Sequence, residues 1–169
     1  MNSEIRIFLV QDRSEIDEIA SLANEIWHEH YGKLLSSGQI DYMIEKFQSA
    51  DPITKAIADE GYTYYIIRDG EEAVGYTAVQ SKEDGSLFLS KLYLRADHRG
   101  RKISRLVLAM LTERCLAEGY SSIWLTVNRG NLGSIAAYKK LGFVIEREVD
   151  ADIGRGYVMD DYVMRYTIA

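Results

Sequence analysis

The chain has 169 residues, 47% hydrophobic and 27% charged, a size and balance that suit one domain with one core and leave little for a disordered region. A formal net charge of −6 argues against nucleic acid as the main partner, and no apolar run approaches the ~20 residues that would cross a bilayer. The single cysteine, Cys115, excludes an internal disulfide and is too little for a thiolate metal site.

The first apolar stretch, Ile5 to Val10, contains Arg6 and follows Glu4. It lacks a basic segment leading into an apolar core, so it reads as a first strand and not as a signal peptide, with the cytoplasm as the default location. Asp12 with Glu15 has capping-box spacing, and Ile16, Ile19, Ala20, Ala23 and Trp27 follow at helical intervals. A second helix is expected from about Ser37 to Gln48, with Ile40, Met43, Ile44 and Phe47 as its stripe. Asp51-Pro52 marks a third, a cap residue before a proline at the first helical position, with Gly61 as its stop.

The period then changes to two. Tyr62 to Arg68 and Val74 to Gln80 flank the turn Asp69-Gly70, and Asp84-Gly85 introduces the strand Leu87 to Leu94. Ile103 to about Glu118 is helical, with a stripe of Ile103, Leu106, Val107, Met110 and Leu111 and Gly119 as its cap. Ile123 to Val127 is apolar enough for a strand buried on both faces. Asn131 to Leu141 is a helix ended by Gly142, and strands Phe143 to Val149 and Tyr157 to Ile168 close the chain. This order predicts an α/β fold with a mixed, mostly antiparallel sheet. The strand–helix–strand unit from Leu87 to Val127 would be a right-handed crossover with its two strands parallel.

Charge is uneven along the chain. Between residues 95 and 105, Arg95, Arg99, Arg101, Lys102 and Arg105 face one acid, Asp97, a local charge of +4, so that the remainder carries −10. The run lies between a strand end and a helix start, where unpaired backbone N–H groups and the helix dipole favour an anion. One compact basic patch on an acidic chain suits a small phosphorylated cofactor better than a nucleic-acid groove; a solvated basic turn is the alternative.

Here the chain resembles the GCN5-related N-acetyltransferase (GNAT) superfamily, whose phosphate loop reads Arg/Gln-x-x-Gly-x-Gly/Ala. The segment Arg99-Gly100-Arg101-Lys102-Ile103-Ser104 keeps the arginine and replaces both later glycines, by Lys102 and Ser104. If the Lys102 position needs a left-handed backbone, a side chain there costs ~1–2 kcal/mol, which one charge-assisted phosphate contact of ~1.5–3 kcal/mol could offset. The second motif is more specific. Thr126 to Phe143 matches Asn-x-x-Asn-x-x-(small)-x-x-x-Tyr-x-x-x-Gly-Phe at Asn128, Asn131, Ser134, Tyr138, Gly142 and Phe143.

The resemblance covers about residues 72 to 145. It implies a single GNAT-like domain with acceptor-side helices over 1–60, an acetyl-CoA-binding core over 61–145 and closing strands over 146–169. It implies that the loop from Arg99 to Ser104 holds the pyrophosphate, that backbone groups of Leu92, Tyr93 and Leu94 pair with the pantetheine arm, and that Asn131 contacts the cofactor. Tyr138 would stand beside the thioester sulfur. The expected reaction is direct attack of a primary amine, on a small molecule or protein, upon acetyl-CoA. A phenol near pKa 10 against a thiol near 8.5 makes full proton transfer uphill by ~2 kcal/mol, which casts Tyr138 as a hydrogen-bond donor that gives up its proton late. A backbone N–H near Leu92 is the family-like oxyanion donor.

The general base stays open. His28, Glu29, His30 and Tyr31 lie near the end of the first helix, a region that helps form the acceptor pocket in similar proteins, and each also reads as an ordinary surface residue. His28 and His30, two apart, point to different helix faces, so no metal pair is expected. His98 reads as solvent-facing. Glu146, Glu148, Asp150, Asp152, Asp160 and Asp161, against Arg147 and Arg155, would favour a cationic, polyamine-like acceptor if they face the cleft; a solvated hairpin is the alternative. Two other classes remain: a coenzyme A-binding regulatory module that has lost turnover, and a plain interaction domain. A homodimer is common among similar proteins, and no interface pattern is visible in the chain.

Overall fold

The computed structural model of the chain describes residues 4–33, 35–99, 102–154 and 157–168, without the side chains of His30, Phe47, 151–154 and 157–159. Strand β1 (Ile5–Leu9) leads through Asp12 into helix α1 (Arg13–Tyr31). The Asp12 carboxylate accepts from the Glu15 N–H, and the Glu15 side chain returns to the Asp12 N–H, so two orphan donors are satisfied as the spacing predicts. The expected second helix is α2 (Ser37–Met43) continued by a π-helical turn (Ile44–Gln48). Helix α3 (Ala50–Asp59) starts earlier than predicted: Ser49 is its cap residue, and Asp51 and Pro52 lie within its first turn. Pro52 fits there because first-turn N–H groups need no intrahelical partner.

Strands β2 (Tyr62–Asp69), β3 (Glu72–Ser81) and β4 (Ser86–Leu94) follow. Helix α4 (Ile103–Glu118), strand β5 (Ser122–Asn128), helix α5 (Leu132–Leu141) and strands β6 (Val144–Gly154) and β7 (Tyr157–Thr167) complete the chain. The strands hydrogen-bond in the order β1-β2-β3-β4-β5-β7-β6. Pairs β1–β2, β2–β3, β5–β7 and β6–β7 are antiparallel, and β4–β5 is parallel, as the crossover requires.

The chain divides into two compact units, Met1–Gln80 with Lys91–Val107 and Ser81–Ser90 with Leu108–Ala169; β4 and α4 each contribute residues to both. In the first unit, Ile19, Ile26, Ile53, Ile66, Ile67 and Tyr76 are fully buried. Gly75 on β3 passes so close to β4 that an added Cβ would come within 2.4 Å of the Tyr93 carbonyl oxygen. In the second unit, the parallel pair is held by Phe88 stacked on Trp124 at 4.3 Å and by the Trp124 indole donating to Ser86 Oγ at 3.0 Å. Along α4 the buried line is Ile103, Val107, Leu111 and Cys115, whereas Leu106, predicted to lie in the stripe, is 49% exposed.

Candidate active site

Within the first unit, the predicted phosphate loop runs from the end of β4 to the start of α4. Gly100 and Arg101 lie outside the described residues. Lys102 has φ 61° and is the one non-glycine residue with positive φ among those described, so the left-handed geometry that a glycine would adopt freely is here borne by a lysine. Ile103 is buried and anchors the first turn of α4, and Ser104 is half-buried beside it.

The basic run is partly neutralised by its own surroundings. Arg95 pairs with Glu25 at 2.8 Å and Glu72 at 2.9 Å. Arg99 pairs with Glu29 at 3.6 Å and donates to the Leu94 carbonyl at 3.3 Å. Among the described residues, Lys102 and Arg105 make no ion pair, which leaves their charge for an incoming anion. His98, expected at the surface, is only 6% exposed: it lies between Asp97 at 2.7 Å and Asp69 at 3.1 Å. A short 3-10 turn, Ala96–His98, folds it inward. Its hydrogen bond is the main reason the Asp97 carboxyl is held below its ordinary value.

Leu92, Tyr93 and Leu94 form the end of β4 and are half-buried. Tyr93 belongs to an aromatic cluster with Trp27 (5.3 Å), Tyr76 (5.6 Å) and Tyr31 (6.3 Å). Beneath it the Trp27 indole donates to Tyr76 Oη at 3.2 Å, and Tyr76 Oη donates to Gln48 Oε1 at 2.8 Å. Of the four acceptor-side candidates, Tyr31 is therefore buried against a predicted cofactor residue. Glu29 is exposed and accepts from the Ala96 N–H at 2.9 Å, which steadies the approach to the predicted phosphate loop. His28 pairs with Asp41 at 2.8 Å. The His30 side chain lies outside the description.

The second unit carries the other motif. The parallel pairing of β4 with β5 covers Ser86–Phe88 against Ser122–Trp124 and does not continue beyond them among the described residues, although β5 pairs with β7 along its full length, Ser122 to Asn128. Leu125 to Val127 thus have no β4 partner in the ladder among the described residues, whereas the Asn128 carbonyl accepts from the Asn131 N–H at 2.9 Å. Asn128 Oδ1 accepts from the Gly130 N–H at 2.8 Å, and Asn131 Oδ1 accepts from the Ser134 N–H at 3.2 Å as the cap of α5. Tyr138, half-buried on α5, meets Phe143 edge to face at 5.5 Å. Gly142 ends α5 with φ 108°, a left-handed stop that suits glycine.

Around the β6–β7 hairpin the late acids separate into two sets. Glu146 is taken by Arg165 at 2.7 Å. Glu148, Asp150 and Asp160 converge on Arg129, at 3.1 Å and 2.6 Å for the first two and in direct contact for the third. Asp161 is 7% exposed and one of its oxygens has no hydrogen-bond partner among the described residues. Burial pushes its carboxyl up to about 6, against the pull of the Thr126 hydroxyl and Arg129. Sequence reasoning named Asp161 only as one acid among six and did not single out Arg129. The visible signal was a lone arginine just after β5, facing a run of acids across the sheet.

This strand order, with its parallel β4–β5 pair and crossover helix, is the architecture of the acyl-CoA N-acyltransferases. A model of the Acetyltransferase (GNAT) family matches residues 17–143, and the chain belongs to that family. It is similar to N-acetyltransferase 8B of Rattus norvegicus, 26% identical over 128 residues, which is 72% of this chain and 53% of that protein; the chain spans about half the length of this relative. Among solved structures, PaiA N-acetyltransferase from Thermoplasma acidophilum, in complex with coenzyme A, superposes with a TM-score of 0.80 at 20% identity over 99% of both chains. A mutant of spermidine N-acetyltransferase SpeG from Vibrio cholerae gives 0.68 at 17% identity, over 97% of this chain and 94% of that one. Both share the fold with this chain.

Proposed function

We propose that this chain, acting as one catalytic domain, transfers an acetyl group from acetyl-CoA to a primary amine by direct attack. The observation that carries the reading is the parallel pair β4–β5, hydrogen-bonded over only three residues of each strand. The open backbone beyond it is the kind of surface that an extended amide-containing arm requires. The residues fit such a ligand on chemical grounds as well, since α4 begins beside uncommitted cations.

In this reading the amides from Arg99 to Ser104 and the Lys102 ammonium hold the pyrophosphate, and the backbone of Leu92, Tyr93 and Leu94 pairs with the pantetheine arm. The thioester supplies an activated acyl group when bound. The N–H near Leu92 stabilises charge developing on the carbonyl oxygen, Asn131 contacts the cofactor, and Tyr138 hydrogen-bonds to the departing sulfur and passes it a proton late in the step. Three carboxylates gathered about the guanidinium of Arg129 favour a cationic, polyamine-like amine.

The test is an amine panel mixed with acetyl-CoA and assayed for free thiol, with the acetylated product identified by mass. Thiol release that depends on an amine supports transfer. A second reading, a coenzyme A-binding regulatory module, is favoured by the lysine in left-handed backbone at residue 102. It predicts a cofactor-dependent rise in melting temperature with no thiol released.

A further inference from the structure

In the second unit, Asp161 lies outside the proton path assigned to Tyr138. Strand register puts Asn128 of β5 opposite Asp161 of β7, Thr126 opposite Val163, and Trp124 between Phe88 of β4 and Arg165 of β7. Residues paired in this way share a sheet face. This face is partly open, because Thr126 is exposed and Phe88, Trp124, Asn128 and Arg165 are half-buried. The opposite face carries Ile123, Leu125 and Met164, all buried, together with Tyr166. Tyr166 packs on Phe143 at 5.4 Å, and Phe143 is the ring partner of Tyr138. Tyr138 and Asp161 therefore stand on opposite faces of the sheet.

On the open face Asp161 is the buried acid. It is 7% exposed, one of its oxygens has no hydrogen-bond partner among the described residues, and its carboxyl is hydrogen-bonded by the Thr126 hydroxyl. Arg129 engages Glu148, Asp150 and Asp160 and attracts Asp161 without an ion pair among the described residues. A buried carboxylate with an unmatched oxygen is costly. Thr126, the exposed member of the pair, is its link to the surface.

We propose that Thr126 and Asp161 form the proton relay that receives the acceptor amine, an inference that rests on the acetyltransferase reading. The amine arrives on the open face as an ammonium ion. One N–H proton passes to Thr126 Oγ1 while the Thr126 hydroxyl proton passes to the Asp161 carboxylate, which leaves a neutral amine and a neutral carboxyl. The nitrogen lone pair then forms the C–N bond to the thioester carbonyl carbon. The C–S bond breaks, and its electron pair leaves with sulfur, which Tyr138 protonates. The nitrogen sheds its second proton to water, Tyr138 regains one from water, and Asp161 releases its own, so each turnover frees one proton.

The relay has a pH signature. Burial raises the Asp161 carboxyl to about 6, with the Thr126 hydrogen bond and Arg129 pulling it down and Asp150 pushing it up. Its neighbours are Thr126 and Asn128 on β5, Arg129 just beyond β5, and Val149 and Asp150 on β6. An ionised relay and a protonated alkylamine coexist from about pH 6 to about pH 10, so kcat/KM for the amine is level across that range. Without the relay only the neutral fraction of the amine reacts, and kcat/KM climbs about tenfold per pH unit.

The experiment measures thiol release from acetyl-CoA between pH 5 and pH 9 with benzylamine, spermidine and a lysine-containing peptide, in the full chain and its variants. The parent should be level between about pH 7 and pH 9 and fall away below about pH 6. Asp161→Asn should lose on the order of 100-fold in kcat/KM for the amine at pH 7, recover about tenfold per pH unit toward pH 9, and keep its KM for acetyl-CoA within about twofold. Thr126→Val should behave in the same way, and Thr126→Ser should restore the parent profile. Either of the first two variants carries the test if the other fails to fold. A parent profile that climbs tenfold per pH unit, or variants that keep the level profile, would overturn the relay and leave the acetyltransferase reading intact. No thiol from any of the amines would overturn that reading and the relay with it.

Discussion

The hydroxyl of Tyr31, in the last turn of α1, lies 3.4 Å from that of Tyr93 on β4, with their rings edge to face. This contact ties the end of the helix proposed to border the acceptor to the strand proposed to hold the pantetheine arm. Tyr31→Phe keeps the ring and removes the hydroxyl. It should lower stability in urea by about 1 kcal/mol and raise the KM for the amine more than that for acetyl-CoA. Identical changes in both KM values would separate Tyr31 from the acceptor side.

Tyr138→Phe should lower kcat on the order of 100-fold while leaving the KM for acetyl-CoA within about twofold. The ring contact with Phe143 survives the substitution, so stability should hardly change. Full turnover by the variant would remove the Tyr138 hydroxyl from the mechanism.

Lys102→Gly releases left-handed strain and deletes a cation at the same time. Relief of ~1 kcal/mol of strain is offset by the greater freedom of glycine in the unfolded chain, so the melting temperature should stay nearly constant. Coenzyme A affinity, measured by calorimetry, should fall about tenfold and show a weaker salt dependence. A Kd that improves would mean that the ammonium makes no phosphate contact and contributes only strain.

Asp161 supplies a stability-versus-pH test. Its carboxyl rises from an ordinary 3.8 to about 6, chiefly through burial. The folded state therefore binds this proton more tightly than the unfolded state, and its contribution to stability, complete below pH 4, is lost as the pH climbs through about 6. Asp161→Asn should match the parent protein near pH 4 and exceed its stability by about 3 kcal/mol at pH 8. An advantage independent of pH would place the effect in packing.

Much of this architecture could be read from residue order alone, because local signals and the global fold agree. The Asp12–Glu15 capping box, Gly70, Gly85, Gly119 and Gly142 at positive φ, and the parallel crossover all appear where the pattern puts them. What escaped prediction depends on contacts distant in sequence. His98 looks like a loop histidine until Asp69, 29 residues earlier, is brought beside it. Lys91 looks like the polar member of an alternating strand, yet it shares a sheet face with Leu89 and Tyr93 and so points toward the covered side. The position of Leu106 was misassigned because the true buried line of α4 runs in steps of four from Ile103 to Cys115, and Leu106 lies just outside it.

The close approach at Gly75 bears on how this chain can diverge. A methyl group there would press on the carbonyl of Tyr93 and on Leu94, 2.7 Å from its Cδ2 atom, in a part of the strand with no slack to retreat. A position that touches neither proposed reactant, and whose own backbone angles any residue could adopt, is thereby barred from change by a neighbour's oxygen. Saturation mutagenesis at residue 75, selected for activity, should return glycine and little else.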